Sequence, residues 1–286
     1  MTKKNLFKKQ SCSPLQELSY TCYSTESLIK IKNKWNQKHP KLKIVSNKPN
    51  IIWKKLKLLL SDFCNNEKCW LRQQFIKYNL DKNLLSYTFA PDRPTLWKSN
   101  KNEWLDSNNI LNVMDQYEKI YHNFLFIGPS PSNYDTLTYN NECVWNELCN
   151  FDLLYHLKNN KNKIAIIFNT DPHYKSGEHW VSIFINFECK NPYIFYFDST
   201  GDKILKPFKK FIDNVILQSK KINNIKLNYI HNYNIQHQKG DTECGIYCLY
   251  FIIQLLKNKK HEKHFRDPKN LISDKYVEKY RHIYFN

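Results

Sequence analysis

From residue 246 to residue 256 the chain reads IYCLYFIIQLL, apolar on every side of a helical projection except at Gln254. A helix with no polar face cannot lie on a surface, so this one belongs in the middle of a core and the rest of the fold has to wrap it. Gly240, Asp241 and Thr242 stand just ahead of it, turn and N-cap residue types that set the expected helix start near Cys244. A thiol at that point meets free backbone N–H groups and the positive end of the helix dipole, both of which favour the thiolate. Cys244 is therefore the candidate nucleophile. Cys248, one turn further into the apolar stretch, is expected to be a small core residue.

The chain has 286 residues, room for one large domain or two ordinary ones. No apolar run is long enough to span a bilayer, and the opening MTKKNLFKKQ lacks the apolar segment of a secretory signal; the expectation is a soluble intracellular protein. Nine cysteines, an odd number with no repeating spacing, do not read as a disulfide framework. Cys64 with Cys69, and Cys143 with Cys149, are spaced too widely for a zinc knuckle and have no flanking histidine. Neither a metal nor any other cofactor is expected. The formal charge of +18 is concentrated: residues 1–94 carry a net +13 and residues 95–286 a net +5. That excess fits a solvated basic face or attraction to a polyanion such as nucleic acid, and charge alone does not choose.

Taken in order, residues 1–25 read as a loosely held polar tail. Apolar residues recur at helical spacing over 28–36, 51–63 and 70–78, which predicts a small helical domain. Two prolines in Ala90-Pro91-Asp92-Arg93-Pro94 mark the boundary, so the expected division is a basic, mainly helical unit over 1–94 and a second unit over 95–286. In the second, 110–121 is a helix capped by Asp106 or Ser107, 123–127 a strand, and 143–157 an amphipathic helix. Runs at 163–168, 180–187 and 193–197 are rich in Ile, Val, Phe and Tyr and bounded by turn residues, hence strands. A helix over 204–217 and a strand over 225–230 complete an α+β sheet domain.

The loop Glu188-Cys189-Lys190-Asn191-Pro192 is short enough to make 180–187 and 193–197 an antiparallel hairpin. In a hairpin folded about Cys189 the residue opposite His179 falls close to Asp198. A carboxylate at one imidazole nitrogen, with the other nitrogen free to face a thiol, is the arrangement a cysteine triad requires.

His179-Trp180, then Tyr196-Phe197-Asp198-Ser199, then Gln238 followed after five residues by Cys244-Gly245, is an ordered set of motifs. It resembles the cysteine proteases that process ubiquitin-like proteins of the SUMO type and their viral relatives, including the adenovirus protease. In spacing and in having a preceding domain it is similar to the polyprotein-processing protease of African swine fever virus and its counterparts in other large DNA viruses. The resemblance covers at least 95–286 and implies a papain-like core, a central mixed sheet flanked by helices, behind an N-terminal helical arm. It implies Cys244 as nucleophile, His179 as general base and acid, Asp198 as the group that orients and charges the imidazole, and Gln238 as the oxyanion-hole side chain. The swine fever virus type carries Asn at the third position, so Asp198 follows the cellular pattern. Gln236 lies nearby but misses the family spacing. Trp104 and Trp180 resemble the two tryptophans that close over an extended substrate and admit only glycine before the cut, and Asn169 is a candidate lining residue of the same cleft.

The implied activity is that of a viral cysteine endopeptidase cutting structural polyprotein precursors after Gly-Gly-type sites during virion maturation. Such an enzyme would be a monomer with no membrane span, working at assembly sites in the host cytoplasm and in the virion. The basic arm is a candidate for contact with nucleic acid. Two other readings stay open: a deconjugating protease acting on a host ubiquitin-like modifier, and a catalytically silent nucleic-acid-binding or scaffold protein.

Overall fold

The computed structural model describes residues 7–73, 84, 87–222 and 226–286. The chain forms two units, Met1–Arg93 together with His282–Asn286, and Pro94–Arg281. The last five residues, which the sequence reading assigns to the second unit, thus belong to the first. Asn286 accounts for this: its side chain accepts from Ser11 N and donates to Ser11 O and Ala90 O, while its backbone exchanges hydrogen bonds with Pro91 and Arg93.

In the first unit, helices span Thr25–Lys38, capped by Ser24, and Pro49–Leu59, which has Pro at its first turn. Their apolar faces meet around Leu28, Ile31, Ile52, Leu56, Tyr23 and Trp70. The expected helix over 70–78 is replaced by a short helix at Glu67–Trp70, capped by Asn66, and a turn; residues 74–78 lie outside the described residues. Residues 7–24 are not a loose tail. Lys8 N donates to Asn65 O, Ser13 N to Thr88 O, and Cys12 bridges Phe89.

Three disulfides also contradict the sequence reading, joining Cys12 to Cys22, Cys64 to Cys69 and Cys143 to Cys149; Cys189, Cys244 and Cys248 are free. Each bridge closes a loop of ten residues or fewer. Such local pairings leave no long-range spacing pattern to detect.

The second unit is built on a five-stranded mixed sheet in the order β1 (Phe124–Ser130), β2 (Lys163–Asn169), β3 (Trp180–Asn186), β4 (Tyr193–Phe197) and β5 (Asn228–His231). The outer pairs β1/β2 and β4/β5 are parallel; β2/β3 and β3/β4 are antiparallel. β1 runs three residues past its expected end. Gly128, at φ +109°, makes this possible, because a Cβ there would lie 2.8 Å from Ile167 O. The expected strand over 225–230 begins at Asn228, and residue 225 lies outside the described residues. The single helix expected over 143–157 is two, Asn146–Cys149 and Leu153–Lys158, because the Asp152 carboxylate accepts from Tyr155 N and starts a new helix there.

The three central strands are buried on both faces, which is why they read as unbroken apolar runs rather than alternating ones. One face packs on the helix Lys206–Lys221 through Phe208, Phe211, Ile212 and Val215. The other receives the apolar helix Cys244–Leu256, whose Phe251 stacks on Phe197 at 4.5 Å and meets Phe195 edge-on. Every residue of that helix except Gln254 is buried. Each buried aromatic contributes ~2–3 kcal/mol of apolar burial, so the start of this helix is anchored by its whole length. Among the described residues no helix is long and apolar enough to cross a membrane.

Candidate active site

Three chain segments arrive together at one end of the sheet: the start of β3, the end of β4 and the start of the apolar helix. His179 is held just ahead of β3 by its carbonyl, which accepts from Thr170 N. Asp198 follows β4 directly. Ser182 pairs with Phe197, so the register continued one step sets Val181, not His179, opposite Asp198. The imidazole and the carboxylate therefore meet on the diagonal of the ladder, a reach that a long side chain spans. His179 Nε2 lies 2.8 Å from Asp198 Oδ1 and donates to it. The Cys244 thiol is the second hydrogen-bond partner of the ring, and with Nε2 taken by the carboxylate, Nδ1 is the nitrogen left for the sulfur. Burial pulls the His179 pKa down, but hydrogen bonds from Asp198 and Cys244 and their negative charge outweigh it and push it up to about 10. A ring in that state is an imidazolium across the neutral range, which is the partner a thiolate needs.

Asp198 is 3% exposed and fixed from several sides. Thr200 N donates to its Oδ1 at 3.0 Å, and Thr200 Oγ1 lies 2.7 Å from the same oxygen. The Thr200 hydroxyl is also 2.8 Å from Asp202 Oδ2, and its single hydrogen serves one of the two at a time. Asn232 brackets the Asp198 backbone, accepting from its N–H at 3.0 Å and donating to its carbonyl at 2.6 Å.

Gln238 is buried, whereas Gln236 is exposed with a single 3.4 Å contact to Lys239 Nζ. Ser199 Oγ donates to Gln238 Oε1 at 2.8 Å, and Gln238 Nε2 donates to Gly240 O at 2.7 Å. These bonds orient the amide; the nitrogen carries two hydrogens, so one donor remains for a developing oxyanion. Ser199 O also accepts from His237 N and Gln238 N, tying this segment to the end of β4. Ser199, Thr200 and Asn232 were not singled out from the sequence. Ser199 stands inside the quoted YFDS motif; nothing in the sequence marks the others.

The helix start differs from expectation in one respect. Glu243, not Asp241 or Thr242, occupies the N-cap, and no side chain caps the helix. Its first N–H groups are thus free of a competing side-chain acceptor. Cys248 is fully buried, and burial first, then the neighbouring Cys244, push its thiol well above the ordinary range.

Trp104, Trp180 and Asn169 come together as lining of one cleft of about 450 Å³, with Trp145 as a third indole wall. His179 and Cys244 are not part of its lining; Trp180, next to His179, and Leu105, against Gly245, form its nearest end. Trp104 is 37% exposed, whereas Trp180 is buried and donates from Nε1 to Leu105 O at 3.0 Å. Asn169 Oδ1 accepts from Asp171 N and Glu178 N, clamping the loop that leads to His179. Gly177, at φ +88°, packs so closely on this amide that a Cβ would lie 2.7 Å from Asn169 Nδ2. Among the described residues no group of three or more His, Cys, Asp or Glu could hold a metal ion.

Against known proteins, residues 155–286 match the profile of the Ulp1 protease family, C-terminal catalytic domain. A protein of Acanthamoeba polyphaga mimivirus that carries the name of a thiol protease is 26% identical over 284 residues, 93% of this chain and 89% of its own length. A cysteine protease of African swine fever virus is 25% identical over 256 residues, 83% of this chain and 91% of that protein; its counterparts in other isolates are named SUMO-1 cysteine proteases. The crystal structure of the African swine fever virus protease shares the fold, with a TM-score of 0.70 at 21% identity over 100% of this chain and 99% of that one.

Proposed function

We propose that the chain is a viral cysteine protease with a Ulp1-type catalytic domain over residues 155–286, in which Cys244, His179, Asp198 and Gln238 carry out peptide-bond hydrolysis by acyl transfer on viral structural polyproteins. The observation that carries this assignment is the single imidazole ring bonded at once to Asp198 and to the thiol at the start of the buried helix. The Cys244 thiolate attacks the scissile carbonyl carbon. The oxyanion that forms is received by the free Nε2 hydrogen of Gln238 and the backbone N–H of Cys244, a donor of this kind contributing ~3–4 kcal/mol to the transition state. His179 gives its Nδ1 proton to the leaving amine, then takes one from water as the thioester is hydrolysed and the carboxylate product leaves. No metal or cofactor enters these steps.

The indole-walled cleft of Trp104 and Trp180 supports an extended substrate with glycine in the two positions before the cut, where any side chain would meet a ring face. The similarity to proteases of two large DNA viruses over most of their length supports a role in maturing virion precursors, carried out by a monomer at host-cytoplasm assembly sites and in the particle. The net +13 over residues 1–94 supports a nucleic-acid contact by that unit, one whose affinity falls steeply with added salt. The isolates named as SUMO-1 proteases support a second reading, deconjugation of a host modifier. To separate the two, the purified chain and its Cys244→Ala variant are incubated with a Gly-Gly-containing viral polyprotein fragment and with a SUMO precursor. Cleavage of the fragment alone, lost in the variant, is expected. Preferential cleavage of the SUMO precursor would favour deconjugation, and proteolysis that persists in Cys244→Ala would overturn the assignment.

A further inference from the structure

Three chain segments converge on the guanidinium of Arg281, a residue outside the motifs that the sequence offers. Nη1 donates to Glu103 O at 2.8 Å, Nη2 to Thr242 O and to Glu243 Oε1 at 2.9 Å each, and Nε to Glu243 Oε2 at 2.9 Å. The group lies over the Trp97 ring, 4.6 Å from its centroid. The side chains of the ion pair are only 3% and 6% exposed. A buried pair of this kind is no net source of stability over well-packed apolar residues of similar volume; what it supplies is a defined geometry. Only arginine offers the planar fork that can hold a carboxylate edge-on and reach carbonyls on both sides.

What the fork holds is informative. Thr242 and Glu243 are the two residues ahead of Cys244, so one side of the guanidinium fixes the entry of the nucleophile into the site. Glu103 opens the strap Glu103-Trp104-Leu105, whose far carbonyl, Leu105 O, is held by Trp180 Nε1. Trp104 therefore sits between two anchored carbonyls and is the part of the strap presented to the cleft. Gly245 lets the strap press against the helix start, since a Cβ there would lie 3.1 Å from Leu105 Cβ.

We propose that Arg281 is a positioning residue that fixes, through one guanidinium, both the placement of Cys244 and the distance of the Trp104 wall from it. The inference rests on the proposed protease chemistry and adds to it a coupling between substrate wall and nucleophile. The two halves of the fork separate cleanly by substitution. Arg281→Lys keeps the ion pair with Glu243, the stronger hold ahead of Cys244, but loses the donors to Glu103 O and Thr242 O, whereas Glu243→Gln keeps the strap and weakens that ion pair.

The experiment uses the full chain, a fluorogenic Gly-Gly peptide, and alkylation of Cys244 by iodoacetamide, which needs no substrate wall. For Arg281→Lys, KM rises about tenfold while the alkylation rate stays within about twofold of wild type. For Glu243→Gln, alkylation and kcat fall together by about tenfold with KM unchanged. Trp104→Ala, an exposed-site change that does not threaten folding, raises KM by itself. In that background Arg281→Lys adds no further rise, because it acts through the wall already removed. A wild-type KM in Arg281→Lys, or a full additional rise on top of Trp104→Ala, would overturn the coupling and leave Arg281 a packing residue. Failure of the wild-type chain to cut the peptide, with no preferential alkylation of Cys244, would instead sink the protease assignment itself.

Discussion

Asp198→Asn removes one charge and almost no shape. The amide oxygen can still accept from His179 Nε2, Thr200 N and Thr200 Oγ1, all of which now meet the single atom Oδ1. With 2.8 Å between the bonded atoms the charge centres lie ~4 Å apart, and at the effective dielectric of a partly buried site their attraction is about 4 kcal/mol. That is worth about three pH units of proton affinity. His179, held up to about 10 by Asp198 and Cys244 against the opposing pull of burial, would then titrate near roughly pH 7. Half the imidazolium is then lost at pH 7 and nearly all of it by pH 9, so kcat/KM falls about twofold at pH 7 and about 10²-fold at pH 9, and the alkaline limb of the kcat/KM profile moves from near pH 10 to near neutrality. The same argument has a stability counterpart. Because the folded pKa is raised, the stabilisation is fully present below the ordinary histidine value of 6.5 and is lost as pH rises through about 10. Melting temperature in the wild type should therefore fall across that window, and fall less in the variant. An unmoved alkaline limb in Asp198→Asn, or a loss under about threefold at pH 9, would show that the carboxylate charge does not hold the imidazolium.

Two further perturbations test the neighbouring parts of the site. Gln238→Ala removes the side-chain oxyanion donor and should lower kcat by about 10²–10³ while leaving KM unchanged, read by steady-state kinetics on a Gly-Gly peptide; a rise in KM with unchanged kcat would move Gln238 to substrate binding. Gly245→Ala places a Cβ 3.1 Å from Leu105 Cβ and 3.4 Å from Trp180 Cδ1. It should cost ~1–3 kcal/mol in thermal unfolding and raise KM as the strap is displaced, whereas a neutral melting temperature would mean the strap yields freely.

The parts of the fold legible in the sequence are those whose signal is local and strong. The apolar stretch at 246–256 could only be a core helix, and the strands at 163–168, 180–187 and 193–197 announce themselves by burial on both faces. The hairpin loop at 188–192 implies that His179 lies near Asp198, but it does not give the register, which sets them on a diagonal. What stayed hidden depends on tertiary competition. Asp152 breaks a continuous amphipathic pattern by capping a second helix, and Glu243 displaces Thr242 as N-cap because its carboxylate is drawn to Arg281, 38 residues on. Asn286 and Asn232 act through side-chain bonds to distant backbone, and Ser199 through its hydroxyl to the Gln238 amide, and such bonds leave no periodicity behind.

The two free thiols of the apolar helix show why position within the helix, rather than residue type, decides reactivity. Cys244 and Cys248 stand one turn apart on the same element, both inaccessible to bulk solvent. Burial alone raises a thiol by disfavouring its anion, and Cys248, fully buried, is pushed well above the ordinary range by burial first and then by the neighbouring Cys244. Cys244 lies where the backbone N–H groups of the first turn have no side-chain acceptor and where the His179 ring supplies a positive partner. A helix less completely buried would let that first turn fray, and the N–H groups and the sulfur would lose their fixed relation to the ring. The apolar run at 246–256 is thus part of the catalytic apparatus in a physical sense: packing of Phe251 and its neighbours against β4 is what holds the thiol within proton-transfer reach of an imidazole carried by a different strand.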